Sequence, residues 1–180
     1  PVWVERAIPS DISQKYLAAT GEGASKFEAE NNAKANVVGI FESKIMGELS
    51  SSKFATTSQS GKSLKTSVQS SAQSLVSSQV QGTLKGAQVI DTYREGDKFY
   101  ALVGLDRAQT MAAKDEEISD IHKTLRGYSD LINKPDTDQR RKIAMLRKML
   151  AEIDKIKVIG NELIVLGSTG SPAYPADIIS

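Results

Sequence analysis

The stretch Lys98–Asp106 constrains the fold of this chain most strongly, because it is apolar on both sides of an extended strand. Its apolar residues alternate in two sets, which are Phe99, Ala101 and Val103 on one side and Tyr100 and Leu102 on the other. Successive side chains of a strand point to opposite faces of a sheet. We therefore predict that Lys98–Asp106 is a central strand with both faces covered.

A hairpin partner and a helix flank this strand in the sequence. Ala87–Tyr93 alternates as a strand does, and Arg94–Asp97 supplies a short turn in which Gly96 can adopt a positive φ. At the other end, Asp106 is a good N-cap, and Gln109 stands three residues later, as in a capping box. The sequence thus predicts a hairpin that leads directly into a helix.

The N-terminal half contains another strand candidate and a long helix. Tyr16–Thr20 is the strand candidate, and Gly21–Gly23 is predicted to form a tight turn after it. Ser25 as N-cap and Glu28 three residues later begin a helix over residues 26–46. Its apolar stripe is Ala29, Ala33, Val37 and Ile40 or Phe41, widened by Phe27, Val38 and Ile45.

The first thirteen residues show no periodicity. They contain Trp3 and Val4, and Pro9 interrupts them. We predict an extended arm with Trp3 packed on the domain, since a single Trp more often packs in a core than forms a ligand platform.

Residues 50–78 are rich in Ser, Thr and Gln and contain no acidic residue. Apolar residues recur at helical spacing, so we predict a second amphipathic helix over residues 63–81, while Leu49–Thr57 is a weaker strand candidate. The exposed face of the predicted helix would carry hydroxyls. Such a face suits contact with another subunit, because uncharged groups avoid a large desolvation cost. A solvated helix of modest stability is the alternative. The serines of this candidate partner surface are Ser67, Ser70, Ser71 and Ser74.

After Asp106 the pattern predicts two long helices, broken at Asn133–Asp136, that form an antiparallel hairpin. Asp136 and Gln139 have capping-box spacing, and Gly160 is the predicted end of the second helix. The stripe of the second helix is Ile143, Leu146, Leu150, Ile153 and Ile156. We expect the early acidic residues of the first helix to pair with late basic residues of the second, and Glu162–Leu166 to be a short strand.

A basic run lies in the first turns of the second helix, where positive charge opposes the helix macrodipole. This placement points to a partner surface, and a solvated face is the alternative. The run consists of Arg140, Arg141 and Lys142, which complete the candidate partner surface.

The residues that catalysis or metal binding requires are scarce or poorly placed. The chain has no Cys, and no Ser stands in a Gly-x-Ser-x-Gly motif. His122 is the only His, and a helix-surface position explains it better than a general base. The carboxylates of residues 115–120 could bind a metal, but a solvated, paired face is favoured because basic partners are predicted nearby. We therefore predict no enzyme activity, no catalytic residue, no metal and no cofactor.

Other ligand classes are also disfavoured. Gly21–Lys26 opens a helix after a strand, as phosphate sites do, but Lys26 replaces the third glycine of a dinucleotide motif and Glu22 is negative. Positive and negative charges nearly balance at 23 and 22, so nothing indicates nucleic acid. No apolar run approaches the roughly 18 residues of a membrane span.

The sequence starts at Pro1 without Met or signal peptide, from which we expect a mature or trimmed chain.

Four segments in order resemble the LPP20 lipoprotein family of bacterial outer-membrane and flagellum-associated proteins. They are Trp3-Val4, the strand and turn Tyr16–Gly23, the alanine-rich helix Ala29–Asn36 and the strand Phe99–Asp106, across roughly residues 1–111. The resemblance implies an envelope protein attached through an N-terminal lipidated Cys that this sequence does not include. It implies no catalytic residues, and it does not extend to the last seventy or so residues.

We therefore predict an α+β fold with a small, mostly antiparallel sheet packed by helices. Its parts are a family-like domain over 1–106, a helical hairpin over 107–160, and a short strand and tail over 161–180 that leads towards a truncated region. The predicted function is non-enzymatic, through self-assembly into a homo-oligomer or binding of an envelope protein in the periplasm or at the outer membrane, in a flagellar or outer-membrane-associated complex. Membrane attachment is expected only through the lipid anchor. The alternative is a periplasmic ligand-binding module for cell-wall fragments or a small metabolite.

Overall fold

The computed structural model describes residues 1–51 and 62–169, with side chains outside residues 50–72. Its helices are α1 (Val2–Glu5), α2 (Ser10–Lys15), α3 (Lys26–Ser51), α4 (Lys62–Thr83), α5 (Arg107–Ile132) and α6 (Gln139–Leu166). Its strands are β1 (Tyr16–Gly23), β2 (Gln88–Glu95) and β3 (Lys98–Asp106). The α+β class is confirmed, with an antiparallel sheet packed by helices.

The sheet is organised around β3, as the sequence predicts. The strand order is β1-β3-β2, and both neighbours pair with β3 antiparallel. All five residues of Ala101–Leu105 are buried, so this strand is covered on both faces. The β2–β3 turn contains Gly96 at φ 59°, a conformation that glycine adopts at little cost. The predicted bounds of β3 are confirmed at both ends.

Helix α3 packs directly on the sheet through the predicted stripe. The fully buried members of this stripe are Ala29, Ala33, Val37, Phe41 and Ile45. The prediction for Phe27 is wrong, because 74% of this residue is exposed. At the start of the helix, Glu28 N–H donates to Ser25 Oγ at 3.2 Å, and Ala24 N–H donates to Glu28 Oε2 at 2.9 Å. The predicted capping residues therefore act together, with the return bond one residue earlier than in a standard box.

The predicted tight turn at Gly21–Gly23 is wrong, because these residues continue β1. Gly21 and Gly23 instead allow this strand and α3 to pack closely together. A Cβ on Gly21 would overlap the backbone nitrogen of Ala33, and one on Gly23 would lie 2.8 Å from the backbone nitrogen of Ala29. Small residues on both elements thus let the backbone of the helix approach the strand.

Two asparagines of α3 cover part of the free edge of β1. Asn32 Nδ2 donates to the carbonyl of Glu22, and Asn36 Nδ2 donates to the carbonyl of Thr20, both at 2.8 Å. Unpaired backbone groups on an edge strand invite pairing with another chain. These side chains occupy two such carbonyls, so this edge is partly protected by its own helix.

The N-terminal segment is two short helices, α1 and α2, rather than the predicted extended arm. Helices of four and six residues are too short to show a periodic apolar pattern. The packing of Trp3 is confirmed, since only 6% of it is exposed. Its Nε1 donates to Asp91 Oδ2 at 2.9 Å and ties α1 to β2.

We expect Trp3→Phe to lower the free energy of unfolding by about 1 kcal/mol, because it removes this hydrogen bond and leaves most of the apolar contact. Urea unfolding monitored by circular dichroism measures the loss. In an Asp91→Ala background the same substitution should cost clearly less, since the bond is already absent. An equal cost in both backgrounds would contradict the assigned role of the bond.

The antiparallel hairpin of α5 and α6 is confirmed. Asp106 caps α5 by accepting from the Gln109 N–H at 3.0 Å. The N-cap of α6 is Asp138, which accepts from the Arg141 N–H at 3.0 Å, and not the predicted Asp136. The buried residues of the α5–α6 cluster are Ile118, Ile121, Leu125, Met149, Ile156, Ile159 and Leu163.

Helix α6 does not end at Gly160, and the strand predicted at Glu162–Leu166 is helical. The apolar spacing of Ile159, Leu163 and Leu166 continues past the glycine, and a glycine within a helix costs only about 1 kcal/mol. The helix ends at Gly167, whose φ is 108°. Val158 and Leu166 belong to the cluster that also holds the α3 and sheet residues, so α6 packs against both the hairpin partner and the sheet core.

Candidate interaction surfaces

The described part of α4 has a buried apolar side and an exposed side without charge. Val76 and Val80 are buried against the body of the protein. The exposed residues opposite them, which we call the α4 polar face, are Ser74, Ser78 and Gln81. Between Lys65 and Lys85 the sequence has no charged side chain. Ser74 therefore lies on the exposed face as predicted, whereas the side chains of Ser67, Ser70 and Ser71 lie outside those that the structure describes.

The basic run lies at the start of α6, where Arg140 and Arg141 are exposed and Lys142 is half-buried. Arg141 Nε lies 3.4 Å from Asp138 Oδ2, an exposed pair that contributes little stability. At about 1.5 Å of rise per residue, this run lies about 30 Å from Glu162, near which α4 ends. The basic run is therefore remote from the point where α4 ends.

Three residues that the apolar stripe assigns to the hairpin core are exposed. Their exposed fractions are 45% for Ile143, 50% for Leu146 and 62% for Leu150. The core position is instead taken by Met149, one residue before Leu150. Sequence periodicity identifies apolar faces but cannot tell which of two adjacent faces meets the neighbouring helix. We call Ile143, Leu146 and Leu150 the α6 row.

A buried ion pair that the sequence analysis missed joins α5 and α6. Lys114 Nζ lies 2.9 Å from both Glu162 Oε2 and Glu117 Oε2, and the Glu162 side chain is fully buried. Thr83 Oγ1, at the end of α4, donates to Glu162 Oε1 at 3.3 Å. The three helices α4, α5 and α6 thus meet at one carboxylate.

Burial and charge pairing act against each other in this pair. Burial raises the pKa of the Glu162 carboxyl, and the positive charge of Lys114 offsets only part of that effect. Burial also lowers the pKa of Lys114, but attraction and hydrogen bonds from Glu162 and Glu117 outweigh it and leave that pKa above 10.5. The pair can hold three helices in register, whereas an enclosed, matched pair offers no open position to a substrate.

Other charged residues of the hairpin pair within their own helices. Each of these pairs has i, i+3 spacing, and they are Lys123 with Asp120, Lys155 with Glu152 and Lys157 with Asp154. Lysines 155 and 157 were expected to meet the acidic residues of α5. Local carboxylates reach them first, because residues three apart lie on the same side of a helix.

The arrangement of the described residues gives no support to catalysis or metal binding. Within residues 1–51 and 62–169, no three His, Asp or Glu side chains are grouped closely enough to hold a metal ion. His122 is half-buried rather than on the open helix surface, and its Nε2 is buried without a hydrogen-bond partner among the residues that the structure describes. A catalytic histidine needs a nucleophile within hydrogen-bond reach, and none of the described residues bonds this Nε2.

Two surface grooves lie at the borders between elements. One, of about 480 Å³, is next to Arg107, which donates to the carbonyls of Val165 at 3.0 Å and Ser13 at 3.3 Å. The other, of about 490 Å³, runs beside Ala18–Thr20 and Gly39. Arg107 is thus engaged in holding α2 and α6, and burial lowers the pKa of its guanidinium from the usual value. None of the helices that the structure describes is long and apolar enough to span a bilayer.

A family model agrees with the resemblance in the sequence. A family model described as LPP20 lipoprotein matches residues 1–106, which include all three strands and α3. Among solved structures, the secreted protein HP1454 from the human pathogen Helicobacter pylori is similar over 87% of this chain, with 12% sequence identity and a TM-score of 0.38. This chain covers 55% of that protein. No curated protein matches. Because the family model covers more than half of the sequence, the chain belongs to the LPP20 lipoprotein family.

Proposed function

We propose that this protein is a non-enzymatic component of the bacterial cell envelope that acts by self-assembly or by binding a protein partner. Membership in a lipoprotein family supports the envelope setting. The proposed location is the periplasm or the outer membrane, in a flagellar or outer-membrane-associated complex. The observation that carries the mode of action is the α4 polar face.

The α4 polar face has the chemistry of a surface that is covered in an assembly. Charged side chains are costly to remove from water and are depleted from the centres of interfaces. Ser78 and Gln81 are exposed on a helix that has no charged residue between Lys65 and Lys85. An uncharged face can also meet a second copy of itself, because the symmetry of a homodimer brings identical residues close together without repelling charges.

We expect Ser78→Lys/Gln81→Lys to shift the purified protein from oligomer to monomer. The substitution places two positive charges on the α4 polar face, where assembly would bury them or bring them near their symmetry mates. Mass photometry over a concentration series, supported by light scattering, measures the distribution. Ser119→Lys is the control, because Ser119 is an exposed helix residue of α5 among charged neighbours.

The control should assemble as the unsubstituted chain does, and both variants should keep the circular dichroism spectrum of the folded protein. A chain that is monomeric at high concentration and recovers no envelope protein on affinity purification would contradict the proposed function. So would a double variant that assembles normally.

A further inference from the structure

The α6 row is an apolar surface that the described residues of the protein leave about half exposed. Ile143, Leu146 and Leu150 have the i, i+3, i+7 spacing of one helix face. Each of them is about half exposed or more, although α5 packs along the same helix through Met149. The row lies on the half of α6 that is remote from the sheet, since Val158 and Leu166 supply the contacts with the sheet core.

Positive charge is concentrated around this row. Residues 139–151 contain five basic side chains and no acidic one, whereas the whole chain has a net charge of only +1. With 3.6 residues per turn, Arg140 and Arg147 lie on one side of the row and Lys142 on the other, each within about 90° of it around the helix. Asp138 faces the run from the preceding turn and approaches Arg141 rather than these three residues.

An apolar helix face with cations on both sides is the pattern of a helix that lies in the plane of a membrane interface. Apolar side chains enter the boundary of the acyl chains, and Lys and Arg meet anionic headgroups at the same depth. A flat surface suits this row, because α5 already occupies one side of α6. A second copy suits it less, because a copy seated on the same row would bring cations against cations.

We infer that the α6 row and its flanking cations Arg140, Lys142 and Arg147 bind the surface of an anionic phospholipid bilayer. This contact goes beyond the proposed function. It also revises our expectation that a lipid anchor is the sole means of membrane attachment. The half of α6 that carries the row lies flat on the bilayer, while the sheet and α4 stay in water. The α4 polar face thus remains open to a protein partner.

Co-sedimentation of the folded, unlipidated chain with vesicles tests this inference. Vesicles of phosphatidylglycerol and phosphatidylethanolamine should bind the protein, and vesicles of phosphatidylcholine should bind it weakly. Binding should weaken as salt is added, because exposed charges are screened. Arg140→Gln/Arg147→Gln should lower the partition coefficient about thirtyfold, and Leu146→Ser/Leu150→Ser should lower it about tenfold or more.

Matched controls distinguish binding by the α6 row from an effect of net charge or of apolar residues exposed elsewhere. Lys34→Gln/Lys44→Gln removes the same charge from the exposed side of α3, and Phe27→Ser removes an exposed apolar residue elsewhere. Both should bind vesicles within about twofold of the unsubstituted chain, and thermal unfolding should show that all variants are folded. The inference is overturned if the chain does not bind anionic vesicles, or if the α6 variants bind them as well as the controls do. It is also overturned if Leu146→Ser/Leu150→Ser dissolves an oligomer without changing vesicle binding, which would assign the row to a second copy or to a protein partner.

Discussion

Gly21→Ala should lower the free energy of unfolding by about 3 kcal/mol, at the upper end of what overpacking costs. The new Cβ would overlap the backbone nitrogen of Ala33 and lie 2.5 Å from the carbonyl oxygen of Ala29. Backbone atoms of a helix cannot rotate away as a side chain can, so α3 must move off the sheet. Because the buried stripe of this helix moves with it, the substitution loosens the whole core. Urea or thermal unfolding measures the loss.

Gly39→Ala in the same helix is the control. A Cβ at Gly39 would meet no atom of the described part of the chain within 4 Å, and alanine is a better helix former than glycine by up to about 1 kcal/mol. The control should therefore leave stability unchanged or raise it. If Gly21→Ala proves as mild as Gly39→Ala, the close approach of α3 to β1 is wrong.

Lys114→Met should lower the free energy of unfolding by about 3–5 kcal/mol at neutral pH, because it leaves the buried carboxylate of Glu162 without its cation. Replacing both partners, as in Lys114→Met/Glu162→Met, removes the charge together with its partner and should cost much less. Thermal and urea unfolding of the two variants test this comparison. A double variant that is less stable than the single one would contradict it.

Acid should partly restore the Lys114→Met variant. The pKa of Glu162 is already raised by burial, and losing Lys114 removes an effect that lowers it. The folded state then binds this proton more tightly than the unfolded state, so stability falls as the pH rises from 4.5 through the raised pKa. The deficit of the variant relative to the unsubstituted chain should shrink as the pH is lowered into that window. A deficit that is constant from mildly acidic to neutral pH would show that the carboxylate is not the cause.

The sequence predicts best the features that depend on a local pattern. Lys98–Asp106 is recognised because both alternating faces are apolar, and the stripe of α3 because its alanines and large residues recur every four positions. Asp106 is recognised as a cap because a short side chain bonds a backbone N–H three residues away. Each of these signals is contained in a few neighbouring residues, so no knowledge of the rest of the fold is needed.

The features that depend on contacts between distant residues were missed. Lys114 and Glu162 are far apart in sequence, and nothing local marks them as partners. The sequence predicts a turn at Gly21 and Gly23, because nothing in it shows that a helix will approach the strand there. The α6 row was assigned to the core because Leu146 and Leu150 have helical spacing as good as that of the residues that are buried. Which apolar face is covered follows from the packing and not from the period.

The central claim is that the protein acts through an α4 polar face that is covered in an assembly. Photo-crosslinking from position 78 in intact cells tests this claim most directly. A photoreactive residue replaces Ser78 in one strain and Ser119 in another, and the crosslinked products are identified by mass spectrometry. The account predicts that position 78 crosslinks to a second copy of the chain or to an envelope protein, and that position 119 does so far less. No product at position 78, or equal yields at the two positions, would contradict it.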